Sequence, residues 1–82
     1  MAEQTHMEII QGKARKLVEM FSEGHMVRFK NGYMVTILLK VVGLWNASGS
    51  MLGYVDTANN EVICMLCDPC DLEQFIEDSL ED

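Results

Sequence analysis

The chain reads as an α+β domain, in which a mainly antiparallel four-stranded sheet packs with an N-terminal and a C-terminal helix in the order α-β-β-β-β-α. Three observations predict this. Apolar residues recur at spacings of three and four near both ends. Between residues 25 and 66 that period gives way to short runs rich in β-branched and aromatic residues. Turn sequences separate these runs, and 82 residues are enough for one compact domain spanning 1–82.

The first helix is signalled by Thr5 and Glu8, spaced as a capping box in which each side chain satisfies a backbone N–H at the helix start. Met7, Ile10, Ala14, Leu17, Val18 and Phe21 draw its apolar stripe, and Lys13 and Lys16 fall outside it, towards water. Gly12 in mid-helix costs up to ~1 kcal/mol against alanine and is read as a mark of close packing. Gly24 sits where a left-handed cap ends the helix.

Two strand runs follow, His25 to Lys30 and Tyr33 to about Val42, joined by Asn31-Gly32, which suits a two-residue hairpin turn. That turn sets Lys30 opposite Tyr33, Phe29 opposite Met34 and Arg28 opposite Val35. One face then collects Val27, Phe29, Met34 and Leu38, and the other Arg28, Lys30, Tyr33, Val35, Ile37 and Leu39. Both faces are partly apolar, so the long second strand is expected to be central, covered on both sides or paired on one.

Asn46-Ala47-Ser48-Gly49-Ser50 is a loop by composition. A second hairpin runs from Met51 to Thr57, turns around Ala58-Asn59-Asn60, and returns from Glu61 to about Leu66. Asp68 is a good N-cap, Pro69 fits the first helical position, and Asp71 complements the dipole in the first turn. Leu72, Phe75, Ile76 and Leu80 form the buried stripe of this last helix.

The longest apolar run is far short of the ~20 residues that span a bilayer, so no membrane partner is expected. The N-terminal residues lack a basic region followed by an apolar one, which reads as no signal peptide and a cytoplasmic location. The net charge of −7 is distributed unevenly. All six bases (Lys13, Arg15, Lys16, Arg28, Lys30, Lys40) fall in the first forty residues against four acids, whereas residues 41–82 hold nine acids and no base. Such asymmetry points to a charged interaction surface.

Cys64, Cys67 and Cys70 form the sharpest motif. Cys-x-x-Cys-x-x-Cys can offer three thiolates to zinc, with His6 or His25 as a fourth ligand. On a strand spanning 61–67, Cys64 and Cys67 would face opposite ways, and Asp68 and Asp71 oppose the thiolate form, so the expectation is buried apolar cysteines and no cofactor. His6 reads as an exposed residue of the first helical turn and His25 as a strand-edge residue. Phosphate loops, paired-carboxylate sites and nucleophile patterns are absent, so the chain is not expected to be an enzyme. The basic cluster beside Phe29 and Tyr33 suggests nucleic acid, but the overall charge repels phosphates and argues against direct binding.

The last helix carries Asp71, Glu73, Glu77, Asp78, Glu81 and Asp82 as candidate partner-binding residues. Glu73, Glu77 and Glu81 recur every four positions, a cost in like-charge repulsion that no lysine is expected to offset. Carboxylates rising ~6 Å apart along a helix can occupy a basic groove made for nucleic acid. In bulk (very short, acidic, without catalytic motifs) the chain resembles the small inhibitors that bacteriophages make against host nucleic-acid enzymes, including anti-CRISPR and anti-restriction proteins. That resemblance implies a protein partner with a basic surface, such as a nucleic-acid-processing enzyme. The alternatives are a zinc module on Cys64, Cys67 and Cys70, and a homo-oligomer joined through opposite charges or sheet faces.

Overall fold

A computed structural model describes residues 2–21 and 24–81. It comprises α1 (Ala2–Met20), β1 (His25–Arg28), β2 (Met34–Leu38), β3 (Val41–Trp45), β4 (Met51–Asp56), β5 (Glu61–Cys64) and α2 (Pro69–Leu80). The sheet is antiparallel throughout, in sequence order β1-β2-β3-β4-β5. It therefore has five strands, not the four expected.

The extra strand comes from a turn at Leu39-Lys40 that breaks the long second run. Leu38 lies opposite Val41 across a two-residue loop, and Leu39 takes φ 56°. A leucine there is costly, because positive φ crowds a side chain that glycine and asparagine avoid. Nothing in Leu39-Lys40 marks a turn chemically, so the run reads as one strand.

The first hairpin is shifted by one residue. Gly32 N–H bonds to Phe29 O (3.0 Å) and Phe29 N–H to Tyr33 O (2.9 Å), so the loop is Lys30-Asn31-Gly32. Gly32 supplies φ 90°, and Asn31 Oδ1 accepts the Tyr33 N–H at 3.0 Å. The expected Arg28–Val35 pairing is replaced by Val27 opposite Val35 and Arg28 opposite Met34. One step of register exchanges faces. Here it gathers Val27, Val35 and Ile37 on the buried side, where the two-residue turn would have split them.

Both helices pack on that side. Ile10, Ala14 and Leu17 of α1 and Leu72 and Ile76 of α2 close over Val27, Val35, Ile37, Val42, Leu44, Leu52 and Val55 in a single core. Each fully buried leucine or isoleucine contributes roughly 1.5–3 kcal/mol of transfer free energy. Phe75 ties α2 to the first hairpin, stacking on Tyr33 at 5.3 Å and meeting Phe29 edge-on at 5.1 Å.

α2 starts as expected, with Asp68 at the N-cap and Pro69 in the first turn, although the Asp68 side chain makes no cap hydrogen bond. Gly24 is left-handed at φ 98°, and its N–H bonds to Phe21 O. α1 begins before the proposed capping box, since residue 5 already lies inside the helix. Gly12 is exposed, and a Cβ there would meet nothing within 4 Å, so close packing is not its reason. No helix among the described residues is long and apolar enough to cross a membrane.

Candidate functional site

The acidic helix is held by α1 chiefly through the Glu73 carboxylate. Lys13 Nζ donates to Glu73 Oε2 at 2.8 Å, and His6 Nε2 lies 2.6 Å from Glu73 Oε1. Lys13 also reaches Glu77 Oε1 at 3.5 Å. The Lys13 hydrogen bond, reinforced by that of His6, holds the Glu73 carboxyl below its usual range, and the same bond raises the Lys13 ammonium. Three expectations are thereby corrected. Lys13 does not point freely to water, His6 is half-buried against Glu73 and not exposed, and the acids of α2 do have a lysine to offset them, one supplied by tertiary packing.

This divides the candidate acids. Glu73 is half-buried and committed to α1, and Glu77 is partly so. Asp78 accepts Gln74 Nε2 at 3.1 Å. Asp71 and Glu81 are exposed, and with Asp78 they have no basic partner among the described residues. Helical spacing sets Asp71, Gln74, Asp78 and Glu81 along one outward strip. Asp82 lies outside the described residues.

The cysteines do not sit as a strand through residue 67 would place them. β5 stops at Cys64, the chain bends over Met65-Leu66, and Cys64 and Cys67 both pack, partly buried, beside the core. Burial pushes the Cys64 thiol up, and pushes Cys67 up to about 11. Both remain protonated thiols near neutral pH. Cys70 is exposed in the first turn of α2. Among the described residues, no three His, Cys, Asp or Glu side chains converge as a metal site requires.

The least expected feature is the second face of the sheet. Register places Met34, Trp45 and Met51 side by side in one row. Met26, Thr36, Gly43, Tyr54 and Ile63 form the next, and Leu38, Val41, Asp56 and Glu61 the third. None of these apolar side chains packs against the core beneath the helices. Met26 is 49% exposed and Leu38 64%, while the central members are half-buried against one another. Trp45 lies across Gly43 and donates Nε1–H to Thr36 Oγ1 at 2.9 Å. A Cβ on Gly43 would stand 3.2 Å from that nitrogen and 3.0 Å from Met51 Cε, so the glycine makes room for the indole. Charges on this face are confined to its margins, at Arg28, Asp56 and Glu61.

The remaining bases do not form a cluster that tracks a phosphate backbone. Arg15 is hydrogen-bonded to Asn60 Oδ1, and Lys16, Arg28, Lys30 and Lys40 are exposed on different elements. No family model matches the chain, and no curated protein or solved structure does either.

Proposed function

We propose that this chain is a non-catalytic binding protein that docks on a protein partner and covers a basic surface, as phage inhibitors of nucleic-acid enzymes do. The observation that carries the reading is the uncovered apolar sheet face centred on Trp45, Met51 and Tyr54. Five strands at ~4.8 Å and three rows of side chains give a patch of roughly 300–400 Å² in projection. A standard interface covers about 800 Å² per partner around an apolar core. The patch therefore has the size of such a core, with the rim left to charged neighbours such as Asp56 and Glu61.

The net charge of −7 selects a basic partner and speeds the encounter. The strip of Asp71, Asp78 and Glu81 belongs to the helical layer, on the opposite side of the molecule from the open face. One flat partner surface does not reach both. In this reading the strip steers the approach, and the sheet face sets the lifetime of the complex.

Parallel affinity capture from host extract tests the assignment, with the wild type, Tyr54→Glu and a triple charge reversal at Asp71, Asp78 and Glu81. The reading expects Tyr54→Glu to lose the partner, and the triple variant to bind more slowly with a weaker salt dependence. Loss of the partner in the triple variant alone would move the contact to α2. A mass that doubles with concentration and returns to monomer in Tyr54→Glu would put a second copy on the face instead.

A further inference from the structure

Gln11 lies at the margin of the buried stripe of α1, on the side away from α2. It is 8% exposed, yet neither its amide nitrogen nor its amide oxygen has a hydrogen-bond partner. Leaving a buried amide unpaired is expensive, and native folds seldom do so for both ends of one group. Gln11, its two amide atoms buried, is among the residues that line a cleft of about 470 Å³ between α1 and β5, with Met7, Glu8, Arg15, Asn60 and Val62. That volume is in the range of ligand-binding clefts.

The other wall of the cleft includes Val62, which belongs to the edge strand of the sheet. β5 ends the sheet. Met65 N–H bonds to Leu52 O at 2.9 Å, which sets the phase of the ladder. In an antiparallel pair, successive residues alternate between bonding to the partner strand and pointing away. Gly53 opposite Cys64 and Val55 opposite Val62 are then the non-bonded pairs. Val62 and Cys64 direct their N–H and C=O groups outward, past the edge. Val62 of that open edge and the orphaned Gln11 thus line the same cleft, from two different elements.

We propose that this cleft accepts an extended peptide segment as a sixth strand, carrying an asparagine or glutamine side chain that pairs with the Gln11 amide. Strand addition satisfies the outward groups of Val62 and Cys64, and alternate side chains of the incoming segment project towards α1. A carboxamide matches Gln11 as donor and acceptor at once. A carboxylate would leave the Gln11 oxygen unpaired, and an apolar side chain would leave both ends so. Met7 and Val62 offer apolar contact for the stem of that side chain. This site is separate from the open sheet face and stands or falls independently of it.

Panning the full chain against a random library of short linear peptides tests the proposal. Selected peptides are expected to share an asparagine or glutamine, and replacing it with leucine or aspartate should weaken binding roughly tenfold or more. Methylating the peptide backbone nitrogens one at a time should block binding at every second position, the signature of a paired strand. Gln11→Leu should lose the same binding, while Tyr54→Glu should keep it. If Gln11→Leu does not fold, the methylation series still decides, because it leaves the protein untouched. Failure to select binders, binders without a carboxamide, or a methylation series without alternation would overturn it.

Discussion

Lys13 Nζ on α1 lies 2.8 Å from Glu73 Oε2 on α2, the closest Lys–carboxylate pair between the two helices among the described residues. Glu73 has a depressed carboxyl, so its contribution is present above the ordinary carboxylate range and is lost as pH falls through its lowered value. Lys13 is raised, so its contribution holds below the usual lysine range and is lost as pH rises through its raised value. Both side chains are about one-quarter exposed, which limits the pair to roughly 1 kcal/mol. Glu73→Gln should lower stability by about that amount at neutral pH and by progressively less as acid protonates the wild-type carboxylate, measured by denaturant unfolding.

Gly12→Ala should stabilise the protein by up to about 1 kcal/mol, because the site is helical, exposed and empty around a new Cβ. A higher midpoint in denaturant with an unchanged slope is the expected result. A loss of stability would contradict this.

Gly32→Ala should act in the opposite sense, costing about 1–3 kcal/mol. The position needs φ 90°, and a Cβ there would come within 2.8 Å of Ala47 Cβ in the β3–β4 loop. Denaturant unfolding of the two glycine variants side by side gives the contrast.

Thiol chemistry should separate the cysteines. Cys70 is exposed and is expected to alkylate first at neutral pH. Cys67, raised to about 11 by burial and by its neighbours, should react appreciably only in alkaline solution or after unfolding. Mass spectrometry of timed iodoacetamide labelling reads the order directly.

Much of this was legible in local pattern, and the exceptions share a cause. The body of α1 and the start of α2 follow from apolar spacing and from Asp68-Pro69, which act within one or two turns of helix. The β2–β3 turn was hidden because Leu39-Lys40 is held by the ladder on either side, not by residues that favour turns. Asn31-Gly32 marked the first hairpin correctly but not the length of its loop, and one residue there reversed both faces. Lys13 lay outside the stripe of its helix, so only packing against α2 could reveal its partner. The two apolar faces of β2 and β3 were visible, but their alternation is the same whether the second face is covered or bare. Gln11 left no signal, since an orphaned amide is a property of what surrounds it.

The central claim, that the open sheet face is the contact surface, has a built-in reporter, because the chain's one tryptophan is Trp45 on that face. Acrylamide quenching of Trp45 in the free protein and in the complex with its captured partner is the most direct measurement. Ready quenching is expected in the free chain, and a clear loss of quenching with a blue-shifted emission in the complex. Equal quenching in both states would contradict it.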